Sequence, residues 1–446
     1  MSSVIYKNVN STPILAVGGG GVWLEDTSGN RFLDTCGGVA VSSLGHRHPR
    51  VGAAIERSAR DLAWVHAGSF TTAAAEELAG LLAGWSGGLT RVQCLSGGSE
   101  AMELALKIAY QYHCESGNPG KQAFVARRQN YHGSTLSMLA ISGNRQRRSV
   151  FEPLLPPVEF VSPCYAYRDQ EAGESDDEYG RRLAAELEEA ILRIGPENVA
   201  GFVAETVVGS TSGAVPPVPG YFQHIAEVCR RRGVLLILDE VMAGMGRTGR
   251  EFAYLDDGVL PDIAAVGKGL AAGYQPISAV LVAPHIHDAL ADGTGVLQNG
   301  QTHVNHPLAC AIALEVQRTI AEEDLLANVR VRGEQLRALL GERFADNEFV
   351  DDVRGRGLFC GIEFVADRST REPLPDGAAV AAAMKKQGLA DGLLLYPGYG
   401  TIDGLRGNHL LLAPPFIVTE SHLEEMVERL SVVVDACLPS VVRMAM

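Results

Sequence analysis

The sequence lacks an excess of basic residues. Its 38 Lys and Arg against 53 Asp and Glu leave a formal net charge of −15 at pH 7. Nucleic acids and anionic membranes attract basic protein surfaces, so neither is expected as a partner. No apolar run approaches the roughly 18 residues needed to cross a bilayer, and we therefore expect no membrane span.

The sequence also lacks paired cysteine motifs, and its first residues do not predict a secretory leader. Its eight cysteines are widely spaced, and none forms a CxxC pair. The first residues, MSSVIYKNVNSTP, do not have the basic-then-apolar layout of a signal peptide. Scattered cysteines in a chain of this length are typical of free thiols in a reducing compartment. We expect a cytoplasmic protein.

Short apolar runs alternate with helical patterns from about residue 91 onward. The runs lack the strict alternation of half-exposed strands, which is typical of a parallel sheet covered on both faces. Helices such as Glu100–Tyr112 and Phe222–Arg232 lie between them. The sequence thus predicts an α/β fold. The predicted strands are Val92–Leu95, Ala123–Arg127, Phe202–Glu205, Val234–Leu238, Ile263–Val266 and Ala279–Val282.

A long helical region, Pro307–Phe344, follows the alternating part and is expected to break near Glu322–Leu325. We expect it to lead into a smaller α+β domain. The predicted organisation is an N-terminal segment (1–65), a large domain (66–325) and a small C-terminal domain (326–446). The acidic segment Asp169–Tyr179 is predicted to be a solvated loop.

A carboxylate pair directly follows one of the apolar runs. In GVLLILDEV (233–241), five apolar residues end in Asp239 and Glu240. A carboxylate at a buried strand end is costly unless it is paired, so Asp239 either caps the next turn or faces a cationic ligand or metal. Ligand sites in open α/β sheets lie at the carboxyl ends of the strands. That position makes Asp239 a candidate ligand contact.

A lysine between two glycines follows the next predicted strand, in AAVGKGL (264–270). Most lysines are solvated at the surface. The strand end, however, places Lys268 in the ligand crevice, and the glycines leave room around it. A lysine in such a position is suited to a Schiff base with a carbonyl group.

Two further strand ends carry candidate contacts. In LSGGSEAMELALKIAY (95–110), a helix begins near Ser99, and its first N–H groups with Gly98 can cradle a phosphate. Alternatively, Ser99 is an ordinary helix cap. In NYHG (130–133), Tyr131 is either a core aromatic or a ring that stacks on a planar ligand.

These residues together describe one ligand. Lys268 calls for a carbonyl, Asp239 for a cationic ring nitrogen, the Gly98–Ser99 turn for a phosphate, and Tyr131 for a flat ring. Pyridoxal phosphate carries all four groups, and a lysine Schiff base with an acidic partner for the ring nitrogen is its recognisable signature.

The chain resembles the class III, or omega-type, aminotransferases of the fold type I pyridoxal-phosphate enzymes. The resemblance covers nearly the whole sequence, in the family's order of motifs. It implies a large domain with a mostly parallel sheet covered by helices, and a smaller α+β domain built from the C-terminal and N-terminal segments. The motifs are SLGHRHPRV (43–51), SGGSEA (96–101), NYHGST (130–135), ETVVGSTSGAVPP (205–217), LLILDEVMAGMGRTG (235–249), PDIAAVGKGLAAGYQPI (261–277), QTHVNHPLA (301–309) and VRGRGL (353–358).

The resemblance also implies roles for individual residues. Lys268 would form the Schiff base, Asp239 would contact the pyridinium nitrogen, and Val241 would pack on the ring face opposite Tyr131. Thr302 would reach the phosphate of the neighbouring subunit, which implies a homodimer with the N-terminal segment at its interface. The full set of implied cofactor contacts is Gly98, Ser99, Tyr131, His132, Asp239, Val241, Lys268 and Thr302.

Some positions depart from the family pattern. Met242 stands where many relatives have Gln, and Thr206 where Pro is usual. Ser210 replaces the Glu of relatives that use a Glu–Arg switch for glutamate, so we expect that switch to be absent. Arg406 is either the arginine for the substrate carboxylate or a solvated loop residue. Val39 replaces a bulky aromatic of some relatives, which indicates a roomier substrate pocket.

Other function classes are weaker. Gly244–Gly249 (GMGRTG) matches the dinucleotide-binding GxGxxG pattern of a nicotinamide oxidoreductase, but no amphipathic helix is predicted to open after it. The histidine pairs lack HExxH or a cysteine cluster, so no metal is expected. Decarboxylases and aminomutases use the same fold and residues, and they remain alternatives.

The sequence therefore predicts a pyridoxal-phosphate-dependent aminotransferase with a ping-pong mechanism. The donor would be a primary amine or an omega-amino acid, and the acceptor a keto acid. The absence of the switch at Ser210 favours pyruvate as acceptor.

Overall fold

The computed structural model describes residues 2–445. Within this range the chain forms sixteen strands and fourteen α-helices. The strands are β1 (Ala16–Gly20), β2 (Trp23–Asp26), β3 (Arg31–Asp34), β4 (Arg91–Leu95), β5 (Ala123–Arg127), β6 (Glu159–Val161), β7 (Val199–Glu205), β8 (Leu235–Asp239), β9 (Ile263–Val266), β10 (Ser278–Val282), β11 (Val350–Arg356), β12 (Phe359–Asp367), β13 (Glu372–Pro373), β14 (Leu393–Leu394), β15 (Tyr396–Tyr399) and β16 (Asn408–Leu412).

The helices differ in length from single turns to the long C-terminal helix. They are α1 (Gly37–Ala40), α2 (Pro49–Asp61), α3 (Ala73–Trp85), α4 (Gly98–Glu115), α5 (Leu136–Ile141), α6 (Arg145–Arg148), α7 (Ala166–Asp169), α8 (Asp176–Ile194), α9 (Tyr221–Arg232), α10 (Pro284–Asp292), α11 (Pro307–Glu322), α12 (Leu325–Arg343), α13 (Gly377–Ala390) and α14 (Glu420–Ala445). No helix in residues 2–445 combines the length and the apolar character that crossing a membrane requires.

A seven-stranded sheet forms the centre of the molecule, in the order β4-β10-β9-β8-β7-β5-β6. Every strand runs parallel to the others except β10, which is antiparallel to both β4 and β9. The central strands β7, β8 and β9 are buried along their whole length. Helices cover both faces of the sheet, which explains why these strands are apolar without alternation. The predicted α/β fold is confirmed.

Two apolar cores lie on the two faces of this sheet. Helices α3, α8 and α9 contribute to one of them, with side chains such as Leu78, Leu187 and Phe222. Helix α4 packs on the other face through Leu104 and Ile108. Because α4 crosses from the end of β4, its packing fixes the helix start at the carboxyl edge of the sheet.

The C-terminal part contains a second sheet, in the order β11-β12-β16-β15, which shares an apolar core with α12, α13 and α14. The predicted break in the long helical region is confirmed, since α11 ends at Glu322 and α12 begins at Leu325. The N-terminal strands β1, β2 and β3 form a third sheet that β14 completes, with Leu393 paired in parallel to Leu33. The two ends of the chain are thereby joined.

The acidic segment differs from its prediction. A solvated loop was expected over Asp169–Tyr179; residues 170–175 form one, but α8 already begins at Asp176 and buries Tyr179. Ser175 caps α8 and exchanges hydrogen bonds with Glu178, and three acids occupy the first helical turn. Negative charge is stabilising at a helix N-terminus, so the acidic run starts a helix instead of opposing one.

Two glycines of α12 provide a matched test of its packing against the turn between β11 and β12. A Cβ atom at Gly333 would lie 2.1 Å from the carbonyl oxygen of Gly357, whereas a Cβ at exposed Gly341 would meet nothing within 4 Å. We expect Gly333→Ala to lower the free energy of unfolding by about 1–3 kcal/mol because backbone must move. Gly341→Ala should raise it by up to about 1 kcal/mol by favouring the helix. Urea unfolding measures both, and equal effects of the two substitutions would contradict the packing.

Candidate active site

The carboxyl ends of three neighbouring parallel strands meet at one edge of the central sheet. Glu205 ends β7 and is in register with Asp239, which ends β8. Lys268 lies two residues beyond the end of β9, the next strand in the sheet. The two acids and the lysine therefore come together because parallel strands deliver their last residues to the same edge.

Asp239 is a buried carboxylate with defined partners. Its Oδ2 lies 2.8 Å from Nδ1 of His132, and its Oδ1 accepts the N–H of Val241 at 2.9 Å. Both side chains of the Asp239–His132 pair are buried. Since a buried charge is costly without partners, these contacts explain how a carboxylate is retained at the end of an apolar strand.

Glu205 is a second buried acid at this edge, and the sequence analysis did not assign it to the site. Its carboxylate accepts the N–H groups of Tyr131 and Gly209, each at 2.9 Å. Burial raises the pKa of Glu205, and the negative charge of Asp239 raises it further. The signal that could have found it is the one that identified Asp239, an acid directly after a predicted apolar strand.

Lys268 occupies a strained and electrostatically balanced position. Its φ is 42°, in the left-handed region, directly after the extended Gly267. Burial lowers the pKa of Lys268 to about 8, although the nearby negative charges of Asp239 and Glu205 act to raise it. Among the hydrogen bonds of residues 2–445, none uses the Lys268 ammonium. A lysine amine with a depressed pKa is suited to nucleophilic attack on a carbonyl.

The start of α4 presents free N–H groups to the same edge. Gly97 is the N-cap, and Glu100 reaches back to accept the N–H groups of Ser96 and Gly97 at 3.1 and 3.0 Å. Ser99 does not cap this helix; its hydroxyl accepts the N–H of Ser134 at 3.1 Å. The next N–H groups, of Gly98 and Ser99, lie in the first turn, where a helix attracts anions.

Close backbone contacts bring the remaining segments together. A Cβ at Gly98 would lie 2.9 Å from Cγ1 of Val241, and a Cβ at Gly267 would lie 3.3 Å from the same atom. Val241 thus packs between the helix start and the residue before Lys268. Gly133 has φ +143°, and a Cβ there would lie 2.4 Å from the Ser99 hydroxyl oxygen. These contacts explain why glycine stands at the three positions.

Arg147, which packs over the ring of Tyr131, is a second residue that the sequence patterns did not identify. The guanidinium carbon of Arg147 lies 4.2 Å from the centroid of the Tyr131 ring. Nη2 of Arg147 donates to the hydroxyl of Ser210 at 3.1 Å. The positive charge of Arg147 also acts to lower the pKa of Lys268. Arg147 lies on the short helix α6, in a run of arginines, so no local pattern marks it.

The remaining candidate residues, Arg406, Val39 and Thr302, form no hydrogen bond or ion pair with the two buried acids within residues 2–445. Arg406 is exposed, and its Nε donates to Asp403 at 2.8 Å. Val39 is partly buried and packs against an apolar cluster that contains Met242. Thr302 is exposed, and its carbonyl oxygen accepts the indole N–H of Trp64 at 2.9 Å.

The glycine-rich segment Gly244–Gly249 forms buried turns, and the next helical residues are the single turn Ala253–Leu255. Arg247 within it is fully buried and donates to the carbonyl oxygens of Leu358 and Pro414. The segment therefore packs against residues that flank β12 and β16, and it has no helix start for a dinucleotide phosphate. Within the described residues, no group of three His, Cys, Asp or Glu side chains is placed to hold a metal ion.

The arrangement fits pyridoxal phosphate. The start of α4 offers main-chain donors to a phosphate, Asp239 offers a held negative charge to a ring nitrogen, and Lys268 offers an unpaired amine to a carbonyl. A cationic surface is not needed for this, since main-chain N–H groups bind a phosphate on an acidic protein.

Comparisons with known proteins identify the family of the chain. The profile of the family "Aminotransferase class-III" matches residues 4–434. An uncharacterized aminotransferase of Schizosaccharomyces pombe is 41% identical over 96% of this chain and 94% of its own length. The taurine–pyruvate aminotransferase of Rhodobacter capsulatus is 36% identical over 94% of this chain and 90% of its own length.

The fold is similar to that of solved transaminases. The omega transaminase from Pseudomonas jessenii in complex with PMP superposes with a TM-score of 0.92 and 30% identity, over 99% of this chain and 97% of that one. An (S)-enantioselective omega-transaminase from Thermomicrobium roseum gives a TM-score of 0.88 and 33% identity, over 98% and 95% of the two chains. The chain belongs to the class III aminotransferases and is a pyridoxal-phosphate-dependent enzyme of fold type I that transfers amino groups from amines to keto acids.

Proposed function

We propose that this aminotransferase works by a ping-pong route in which Lys268 binds the cofactor and then moves the substrate proton. The observation that carries the proposal is the Lys268 amine, which has a pKa near 8 and lies at the sheet edge that holds Asp239. When bound, pyridoxal phosphate supplies an electron sink for the electrons of the substrate C–H bond.

Each residue at this edge has a task that follows from its contacts. The N–H groups of Gly98 and Ser99 would hold the phosphate, and Val241 and Tyr131 would face the two sides of the ring. His132 holds the Asp239 carboxylate at 2.8 Å. That held charge would keep the ring nitrogen protonated, because an opposite charge nearby favours the charged form.

Lys268 acts at its Nζ atom. As a free amine, Lys268 would accept the proton from the substrate carbon that carries the nitrogen and would deliver it to the cofactor carbon on the other side of that nitrogen. This requires the neutral form of Lys268. Burial lowers the pKa of Lys268 to about 8 and so increases the share of the neutral form near neutral pH, where an ordinary lysine is almost fully protonated.

For the substrates, we propose a primary amine or omega-amino acid as donor and pyruvate as acceptor. Ser210 brings no negative charge to the guanidinium of Arg147, so this position does not supply the carboxylate of a Glu–Arg switch. The taurine–pyruvate aminotransferase of Rhodobacter capsulatus, a relative over most of the chain, supports an omega-amino donor and pyruvate.

We also propose a homodimer in which Thr302 reaches the phosphate of the partner subunit. Thr302 lines an open cavity of about 560 Å³ together with Trp64 and His66. Trp64 and Phe70 near it are 43% and 67% exposed, which is typical of a surface covered by another chain.

We also propose a cytoplasmic location, which agrees with the eight cysteines, all of them free thiols.

Replacing the lysine tests its assignment. Lys268→Ala should abolish turnover and the link to pyridoxal phosphate that borohydride reduces, because no other amine takes its place. Lys385→Ala, at an exposed position of α13, is the matched control and should leave both unchanged. The measurements are activity and mass spectrometry after reduction. A labelled peptide other than the one with residue 268 in the wild type would overturn the assignment.

The pKa of Lys268 predicts a pH profile. The rate at which apoenzyme binds pyridoxal phosphate covalently should rise through a midpoint near pH 8, because only the neutral amine attacks. Asp239→Asn should move the midpoint to lower pH, since it removes a charge that raises the Lys268 pKa. The reaction of N-α-acetyllysine under the same conditions corrects for titration of the cofactor. A wild-type midpoint above pH 10, or an upward shift in the variant, would contradict this account.

The shared site predicts complementation between subunits. Thr302→Ala should weaken cofactor binding by about 10-fold or more, the usual value of a hydrogen bond to a charged group. A heterodimer of one Lys268→Ala subunit and one Thr302→Ala subunit should contain one site of wild-type affinity. If Thr302 acts within its own subunit, every competent site of that heterodimer will bind the cofactor weakly.

A further inference from the structure

Arg147 lies against Tyr131, and its guanidinium has no carboxylate partner within residues 2–445. Its hydrogen bonds within residues 2–445 go to the hydroxyl and carbonyl oxygens of Ser210, at 3.1 and 3.4 Å, and both acceptors are neutral. The neighbouring Arg148 is paired with Glu152, and Arg406 with Asp403. A partly buried cation without a counter-charge is costly, and binding an anion removes that cost.

The guanidinium of Arg147 is also held in a fixed orientation. Its flat face lies over the Tyr131 ring at 4.2 Å, a cation–π contact. Only Nη2 is used by Ser210, so Nε and Nη1 keep free donors. The free Nε–H and Nη1–H donors of this charged group are suited to hydrogen bonds with the oxygens of a carboxylate or sulfonate.

The loop that holds Ser210 is itself anchored from the small domain. Arg354 on β11 donates to the carbonyl oxygens of Ser212 and Gly213, and it is paired with the buried Glu363. Ser210 is buried, with 7% of its surface exposed. Arg147 is thus positioned before any substrate arrives, which reduces the entropic cost of binding an anion.

The position of Arg147 is within reach of the reacting groups. Its charge acts on the Lys268 ammonium, and the residue that it stacks on, Tyr131, is held by Glu205 next to Asp239. Arg406, in contrast, is exposed and already paired with Asp403.

We propose that Arg147 binds the acid group of the substrate and makes the enzyme selective for amine donors that carry a carboxylate or sulfonate. This inference deepens the proposed function and rests on it. Ser210 contributes by being neutral, because an acid at that position would satisfy Arg147 from within the protein.

The test compares donors that differ only in charge, in the first half-reaction of the holoenzyme, where no keto acid is present. The pairs are 3-aminopropanoate with 3-aminopropanamide, and 2-aminoethanesulfonate with 2-aminoethanesulfonamide. The change in cofactor absorbance gives kcat/KM for each donor. Arg147→Gln should lower this value for the acids by about 10- to 100-fold, the loss expected for a charge-assisted pair, and leave the amides unchanged.

Two further variants separate the alternatives. Arg147→Lys should recover part of the preference, because it keeps the charge and loses the planar fork. Arg406→Gln is the control and should leave the preference intact. Equal losses for acids and amides in Arg147→Gln would overturn the proposal and make Arg147 a positioning residue for Tyr131. If Arg406→Gln, and not Arg147→Gln, removed the preference for acids over amides, the proposal would be overturned as well.

A binding measurement keeps this inference separate from the proposed reaction. Calorimetry with propanoate and with ethanesulfonate reports the anion site directly, with no turnover. Binding should be present in the wild type and in Arg406→Gln, and lost in Arg147→Gln. If no donor changes the cofactor absorbance of the wild type while the anions still bind through Arg147, the reaction assignment fails and the anion site stands. Equal anion binding by the wild type and Arg147→Gln overturns the anion site.

Discussion

The buried contact between Asp239 and His132 is the interaction on which the rest of the site depends. Parallel pairing of β7 and β8 forces Glu205 and Asp239 into register at one sheet edge, where neither carboxylate is well solvated. Each acid is therefore held by groups that bring loops to it: His132 and the Val241 N–H for Asp239, and main-chain N–H groups for Glu205. The same hydrogen bonds that make burial tolerable shape the floor of the site.

Charge balance at this edge explains the chemistry of Lys268. Burial disfavours its ammonium form, the two acids favour it, and Arg147 opposes them. The balance leaves an amine whose pKa lies near 8, between a surface lysine and a fully desolvated one. An overall charge of −15 is compatible with a phosphorylated cofactor because helix N–H groups can bind a phosphate without basic side chains.

Sequence patterns found the parts of the site that have a local signature. Asp239 follows five apolar residues and Lys268 lies between glycines after a strand, so each is marked by its immediate neighbours. The strands and the break between α11 and α12 follow from apolar periodicity for the same reason. Arg147 has no such mark, since its role comes from contacts with Tyr131 and Ser210 that are distant in the chain. For Asp169–Tyr179, composition predicted a loop throughout, whereas capping by Ser175 starts helix α8 at Asp176.

The sequence by itself determined the α/β order of elements, the strand ends at which an acid and a lysine must lie, and the family to which the chain is similar. Each of these depends on short stretches whose hydrophobic pattern is set by neighbours. Only the tertiary structure decided which polar groups face one another: Glu205 beside Asp239, Ser99 against Gly133, and Arg147 over Tyr131. Those pairings depend on sheet register and on loop packing between residues that are 16 to 34 positions apart in the chain, and no local pattern encodes them.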